Sequence, residues 1–328
     1  MLSNISEIIV GFFMFSIILF FYLHIQFHFK VSNDLEIYEV DNVSKERIEE
    51  ICDLRQPVIL EDNEMGYLSD IINYINIDFL TQNYRIFEIK IKNVKETNDD
   101  SNCVPLPLHV AVKLFKDDKE SKYFSEGNND FLSETGAIKH ISYNDAYFRP
   151  SLVSNCYYDV MFGSTNVETP LRYDLNYRNY YMVTKGSVQI KLTPPKSSKY
   201  LYPINDYENF EFKSMIDVWN PQQKYRADYD KIRFLEITLV PGKILYIPAY
   251  WWYSFKFGED TSIVCCKYRT YMNNIAISNH IFMYALQNQN IDRKIVKQIK
   301  LNQNKLKETI PSNTDDTSQI QIDEQKRE

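Results

Sequence analysis

The residues of this chain best suited to chemistry lie in the run Thr169-Pro170-Leu171-Arg172-Tyr173-Asp174. Side chains two apart on a strand share a face, so Arg172 and Asp174 should project side by side. A carboxylate removed from water is costly, and a guanidinium beside it supplies the opposite charge and several donors. An internal ion pair between Arg172 and Asp174 is therefore expected. Arg172 has a second reading, as a clamp for an anionic ligand with Thr169 and Asn179 nearby, but Asp174 competes for the same guanidinium. Arginine keeps its proton and has no lone pair for a metal. The other reactive residue types are scattered. The five histidines, His24, His28, His109, His140 and His280, have no partners at ligand spacing. Cys265 and Cys266 alternate across a strand, where small buried hydrophobes are the ordinary reading. No serine sits in a nucleophile elbow. The eight glycines give no phosphate-cradling GxGxxG or P-loop. Tyr246, Tyr250, Trp251, Trp252 and Tyr253 fit a ligand cavity and a packed core equally well.

The elements that must position Arg172 and Asp174 are short strands. From Val153 to Arg269, apolar runs alternate with Gly, Pro, Asn and Asp, as in Tyr180 to Val183, Val188 to Leu192, Phe234 to Val240, Ile244 to Ile247 and Thr261 to Cys266. This spacing predicts a double-sheet barrel of jelly-roll type. Upstream, Leu35 to Asp41 reads as a strand, and Ser44 caps a helix through Cys52. Arg55 to Leu60 reads as a buried strand, and Ser69 and Asp78 open two short helices. Tyr84 to Lys92 alternates as a half-buried strand, and Leu106 to Phe115 is helical. Helices return after Asn273, with a second one over Asp292 to Thr309 and a disordered polar tail from Pro311.

Ile8 to Phe27 is almost entirely apolar and about the length that spans a bilayer. A signal peptide is the competing reading, weakened by Glu7 and by the lack of a basic leading segment and a small-residue cleavage site. Lys30, Lys45 and Arg47 follow the span and no cation precedes it, so the domain is expected on the cytoplasmic side. The predicted organisation is an anchor over residues 1–30, a domain over 31–272 with its barrel core at 153–270, C-terminal helices over 273–309 and a tail over 310–328. The net charge of -7 argues against a nucleic-acid partner. With no CxxC and no disulfide framework, the five cysteines suit a reducing compartment. Abundant Asn, Ile, Lys and Tyr would suit a large DNA virus or a protist, which opens a virion or host membrane as the location.

The run Gly163 to Asp174, together with Asn179, Lys185-Gly186, Leu192 to Pro195 and Pro241-Gly-Lys-Ile-Leu-Tyr-Ile-Pro-Ala-Tyr-Trp-Trp252, resembles the cupin-like Jumonji-C oxygenases, among them the asparaginyl hydroxylase of hypoxia-inducible factor. The resemblance implies a mainly β fold with flanking helices: a double-stranded β-helix (jelly-roll, cupin) barrel, here preceded by one transmembrane helix. In that family two His and a carboxylate hold Fe(II), with positions left open for 2-oxoglutarate and oxygen. Carried onto this chain, the three ligand positions are Arg172, Asp174 and Tyr253, so only the acid is kept. The co-substrate lysine falls on Val188, whereas Thr169 is retained. Thr169, Asn179, Val188, Tyr250 and Trp252 are the expected ligand-pocket residues, and the Tyr253 hydroxyl is expected to add a donor toward Asp174. The resemblance also implies a homodimer through the C-terminal helices, against simple packing on the barrel. The expected function is a membrane-anchored pseudo-oxygenase that binds a protein partner or serves structurally, with no metal or cofactor. The alternative is an active Fe(II)/2-oxoglutarate-dependent protein hydroxylase or demethylase with atypical ligands, and a third reading is an enzyme that uses the cavity differently.

Overall fold

A computed structural model describes residues 2–41, 43–61, 67–95 and 103–289. The predicted helix over 292–309 and the tail lie outside the described residues. Among those described, the strands are Tyr38–Asp41 (β1), Val58–Glu61 (β2), Glu88–Asn93 (β3), Val104–Pro107 (β4), Tyr123–Ser125 (β5), Val153–Gly163 (β6), Arg172–Tyr173 (β7), Arg178–Lys185 (β8), Val188–Thr193 (β9), Pro203–Asp206 (β10), Glu211–Ser214 (β11), Leu235–Leu239 (β12), Lys243–Pro248 (β13), Trp252–Phe257 (β14) and Ser262–Thr270 (β15). They form a nine-stranded sheet in the order β1-β2-β13-β8-β15-β6-β5-β3-β4 and a six-stranded sheet in the order β10-β11-β7-β14-β9-β12. This is the expected mainly β, jelly-roll fold with flanking helices.

Strand parity sorts the side chains. On β8, β13 and β15 the residues Tyr181, Val183, Leu245, Ile247, Ile263 and Cys265 enter the core between the sheets. There they meet Val188, Ile190 and Leu192 of β9 and Tyr253, Phe255 and Phe257 of β14. The opposite parity, Tyr180, Met182, Ile244, Tyr246, Val264 and Cys266, packs outward against a second core. Helices Lys45–Asp53, Tyr67–Tyr74, Ile77–Tyr84 and Leu108–Asp117 contribute to that outer layer. β8 is covered on both faces, which explains its unbroken run of buried residues. Four of the five aromatics at 246–253 (Tyr246, Trp251, Trp252 and Tyr253) are core packing, each at most 1% exposed.

Several local expectations are corrected. Ser44 caps its helix as predicted, accepting from the Arg47 N–H. Asn76, not Asp78, caps Ile77–Tyr84, because its side-chain oxygen reaches the N–H groups of both Asp78 and Phe79. Ser69 lies inside its helix rather than at the start. That second helix takes up Tyr84, so the strand predicted over Tyr84 to Lys92 begins only at Glu88.

The N-terminal helix Leu2–Phe29 contains a stretch, Ile5–Phe29, long and apolar enough to cross a membrane, and its most apolar window is not buried against the domain. A signal sequence meets the same test of length and composition. The foot of the helix rests on the domain. His28 packs on the Tyr177 ring, and the Arg55 guanidinium lies between the rings of Phe27 and Tyr177, at 4.7 and 4.6 Å. The chain ends its described part with helices Tyr271–Ala276 and Ser278–Asn288.

Candidate functional site at the barrel mouth

Arg172 opens β7 and sits directly opposite Tyr253 of β14, and Asp174 follows just past the strand. The three positions singled out by sequence therefore converge at one end of the barrel. Their partners differ from expectation. Arg172 turns to Glu126 in a two-pronged pair, with contacts of 2.5 and 2.8 Å. Asp174 instead receives the Lys267 ammonium, 3.0 Å from Oδ1 and 2.9 Å from Oδ2. The predicted Arg172–Asp174 pair is thus replaced by two pairs, each with a separate partner. The predicted donor from Tyr253 is present, its hydroxyl donating to Asp174 Oδ2 at 2.8 Å. Tyr181 donates to the Tyr253 hydroxyl at 2.8 Å, and its own hydroxyl lies 3.1 Å from Asp174 Oδ2.

Local structure explains each placement. Lys267 continues the inward parity of Ile263 and Cys265 along β15, so its side chain reaches the mouth where the apolar filling stops. Glu126 follows β5 in a turn whose next residue, Gly127, has φ +78°. There Asp159 fixes the backbone by accepting from the N–H groups of Gly127 and Asn128, at 2.8 and 2.6 Å. Lys92 of β3 bridges Glu126 and Glu211, each at 2.8 Å. The cavity these residues line has a volume of about 340 Å³.

Burial alone would neutralise these groups. Burial pushes the Asp174 carboxyl up, but Lys267, and then Arg172 and Tyr253, outweigh it and hold it below its ordinary value. Glu126 is likewise penalised by burial, yet Arg172 and Lys92 hold it well below the usual carboxylate range. Burial works against the Lys267 ammonium, and Asp174 reverses this, raising it well above a free lysine. Burial also works against the Arg172 guanidinium and Glu126 outweighs it, so all four groups are charged at neutral pH.

The other predicted pocket residues do not share a cavity. Val188 pairs with Leu239 and Phe257 and is sealed in the inter-sheet core, 1% exposed. Asn179 donates to the Ile247 carbonyl and accepts from Asn176. The Thr169 hydroxyl oxygen accepts from the Phe255 N–H, pinning the approach to β7 along β14. Trp252 faces outward and donates to Ser198. Tyr250 lines a separate cleft with Phe29, Tyr173 and Pro195. Missed by sequence reasoning were Lys267, Glu126, Lys92, Glu211 and Tyr181. A lone charge inside the apolar run Ser262 to Tyr268 was the available signal for Lys267. For Glu126, 46 residues from its partner, there was none.

The resemblance to Jumonji-C oxygenases implies Fe(II) and 2-oxoglutarate, and the residues present do not fit them. Arg172 and Lys267 are protonated and offer no lone pair, and Tyr253 is a neutral phenol whose pKa burial and Asp174 push up. Asp174 is the one ligand-type side chain of the three positions. Among the described residues, no three His, Cys, Asp or Glu side chains gather as a metal site. At the inner end, Val188 and Phe257 offer no cation to a dicarboxylate.

Residues 77–274 match the family described as the cupin-like domain. The chain is similar to HSPB1-associated protein 1 of Mus musculus, 28% identical over 147 residues, or 42% of this chain and 30% of that protein. It is similar to JmjC domain-containing protein D of Dictyostelium discoideum, 34% identical over 165 residues, or 50% of this chain and 34% of that protein. Lysine-specific demethylase 8 of Danio rerio is 30% identical over 92 residues, or 28% of this chain and 22% of that protein. The matched stretch thus spans no more than 34% of any of these three relatives. With the family match extending over more than half of its length, the chain belongs to the cupin-like domain family, of the Jumonji-C kind.

Proposed function

We propose that this chain is a membrane-tethered Jumonji-C-like cupin that has lost iron-dependent oxygenase chemistry and works as a binding or structural module. The observation that carries the reading is the Lys267 ammonium seated on Asp174 at 2.9 Å. A metal at Asp174 would have to displace a cation that is covalently part of the chain, and would find a guanidinium beside it rather than an imidazole. The apolar N-terminal helix is the tether, with the domain on the cytoplasmic side. A protein is the expected partner class, in keeping with a relative named for its association with HSPB1. A homodimer through the C-terminal helices belongs to the same proposal, with Phe282 and Met283 exposed on Ser278–Asn288.

The test uses the full chain in detergent micelles, loaded with Fe(II) under anaerobic conditions and assayed for metal content. Oxygen and 2-oxoglutarate are then added and succinate is measured. Substoichiometric iron and no succinate are expected. One iron per chain, or uncoupled turnover, would return the protein to the alternative of an active hydroxylase or demethylase, which now draws on the retained Asp174 and on relatives' names. Extraction of the chain from membranes by alkaline carbonate would remove the tether.

A further inference from the structure

We propose that the barrel-mouth cavity binds a carboxylate, the Asp or Glu side chain of a partner protein, with Arg269 as its anchor. This rests on the binding-module reading and names the chemistry of what is bound. Arg269 is two residues beyond Lys267 on β15 and lines the same cavity. Its Nε donates to Asn176 Oδ1 at 2.6 Å, and its guanidinium lies 5.0 Å from the Phe210 ring centre, so the plane of the fork is fixed on two sides. Among the described residues, its terminal amino groups have no acceptor and no carboxylate within ion-pair distance.

The acids around it are already matched. Glu126 has Arg172 and Lys92, and Glu211 has Lys92 and Lys213. Asp174 has Lys267 and Tyr253. Asp159 accepts from backbone N–H groups, and burial raises its pKa despite them. What the cavity offers an incoming group is therefore a positive fork, whose geometry matches a planar carboxylate.

Neutral donors stand beside it. Asn155 is the cross-strand partner of Arg269 and Tyr157 that of Lys267, and both line the cavity. Neither side chain has a hydrogen-bond partner among the described residues. A volume of about 340 Å³ takes one side chain and its adjoining backbone. A polyanion is disfavoured by the four carboxylates in the wall, Glu126, Asp159, Asp174 and Glu211.

The experiment uses the full-length chain in detergent micelles and isothermal titration calorimetry. The probes are blocked Gly/Ser heptapeptides with a central Glu or a central Gln, together with succinate and inorganic phosphate. The Glu peptide should bind about tenfold more tightly than the Gln peptide, or better, because the contact is charge-assisted. Arg269→Gln should abolish that preference and Arg269→Lys should keep part of it, with thermal midpoints unchanged. If Arg269→Gln fails to fold, Tyr157→Phe, which removes a donor but no charge, should still weaken the Glu peptide a few-fold. Equal affinity for the two peptides, no saturable binding, an unaffected Arg269→Gln variant, or a preference for phosphate would each overturn the proposal. Succinate binding as tightly as the Glu peptide would keep the carboxylate site and overturn a protein side chain as its source. Iron-dependent turnover would refute the module reading while leaving Arg269-dependent binding measurable. No Glu/Gln discrimination by the unmutated chain, without turnover, would refute this inference alone.

Discussion

Replacing Lys267 by Met should be among the most damaging single changes in the barrel. The Lys267 and Asp174 side chains are 19% and 18% exposed, so solvent screens their attraction little. Met keeps the length of the side chain and removes the charge, leaving Asp174 with the Tyr253 and Tyr181 hydroxyls it already had. Breaking a buried pair from one side costs about 3–5 kcal/mol. The partial exposure places this case near the lower end, about 3 kcal/mol. For a domain of this size that is a fall in Tm of roughly 6–12 °C. The double variant Lys267→Met/Asp174→Leu removes both charges and leaves the two tyrosine hydroxyls bonded to each other at 2.8 Å. It should recover most of the loss, since apolar replacement of a whole buried pair is often neutral or stabilising. The assay is urea unfolding of the detergent-solubilised chain, followed by the fluorescence of the buried Trp251 and Trp252. In the single variant the orphaned Asp174 should titrate above its unfolded value, so its destabilisation should fade as the pH is lowered. A single variant as stable as the parent, or a double variant less stable than the single, would refute the idea that the lysine compensates the acid.

Three other outcomes follow from the same geometry. Glu126 has a folded pKa well below its ordinary 4.5, so its contribution is present above that value and lost as the pH falls through the folded pKa. The urea midpoint should therefore hold from neutral pH to about 5 and drop only in stronger acid, and Arg172→Gln should move that drop to higher pH; an unmoved acid limb would count against the pair. Arg172→His/Tyr253→His should not restore iron binding, because Lys267 still occupies Asp174, whereas adding Lys267→Ala should. Stoichiometric iron in the double variant, read by elemental analysis, would refute the blocking role. Gly186→Ala should cost about 1–3 kcal/mol in the same urea assay, and an unchanged midpoint would contradict the structure. The residue holds φ +75°, and a Cβ there would lie 2.6 Å from Thr261 Oγ1 and 2.7 Å from the Glu259 carbonyl.

The sequence made the barrel legible because its strands announce themselves. Runs such as Tyr180 to Val183 and Ile244 to Ile247 are apolar on both parities, as strands covered on both faces must be. The shared face of Arg172 and Asp174 and the reach of Tyr253 followed from local periodicity and a resembled motif. The identity of their partners did not. Arg172 and Asp174 were near enough in sequence to suggest each other, but a pairing across the barrel depends on which long-range groups reach the mouth. Glu126 gets there through a turn held by Asp159, a contact between segments 32 residues apart. Lys267 was nearly readable, since counting inward from Cys265 by twos reaches it. The first half misled for a different reason. Asn76 and Asp78 are both good helix starters two positions apart, and only the folded backbone selects between them.

On the proposed reading, the two pairs at the mouth stand in for the ion of a metal-binding barrel. A divalent ion brings two positive charges and keeps its surrounding ligands oriented. Here Lys267 and Arg172 bring two positive charges as side chains, answered by Asp174 and Glu126. The electrostatic role would then be filled by charges that, unlike an ion, cannot dissociate. What the substitution cannot reproduce is an open coordination position, because an ammonium and a guanidinium donate hydrogen bonds and accept no electron pairs. On the proposed reading, the same exchange that stabilises the fold ends the oxygen chemistry. It leaves a charged cavity whose remaining use is recognition, through the terminal amino groups of Arg269, which have no acceptor among the described residues.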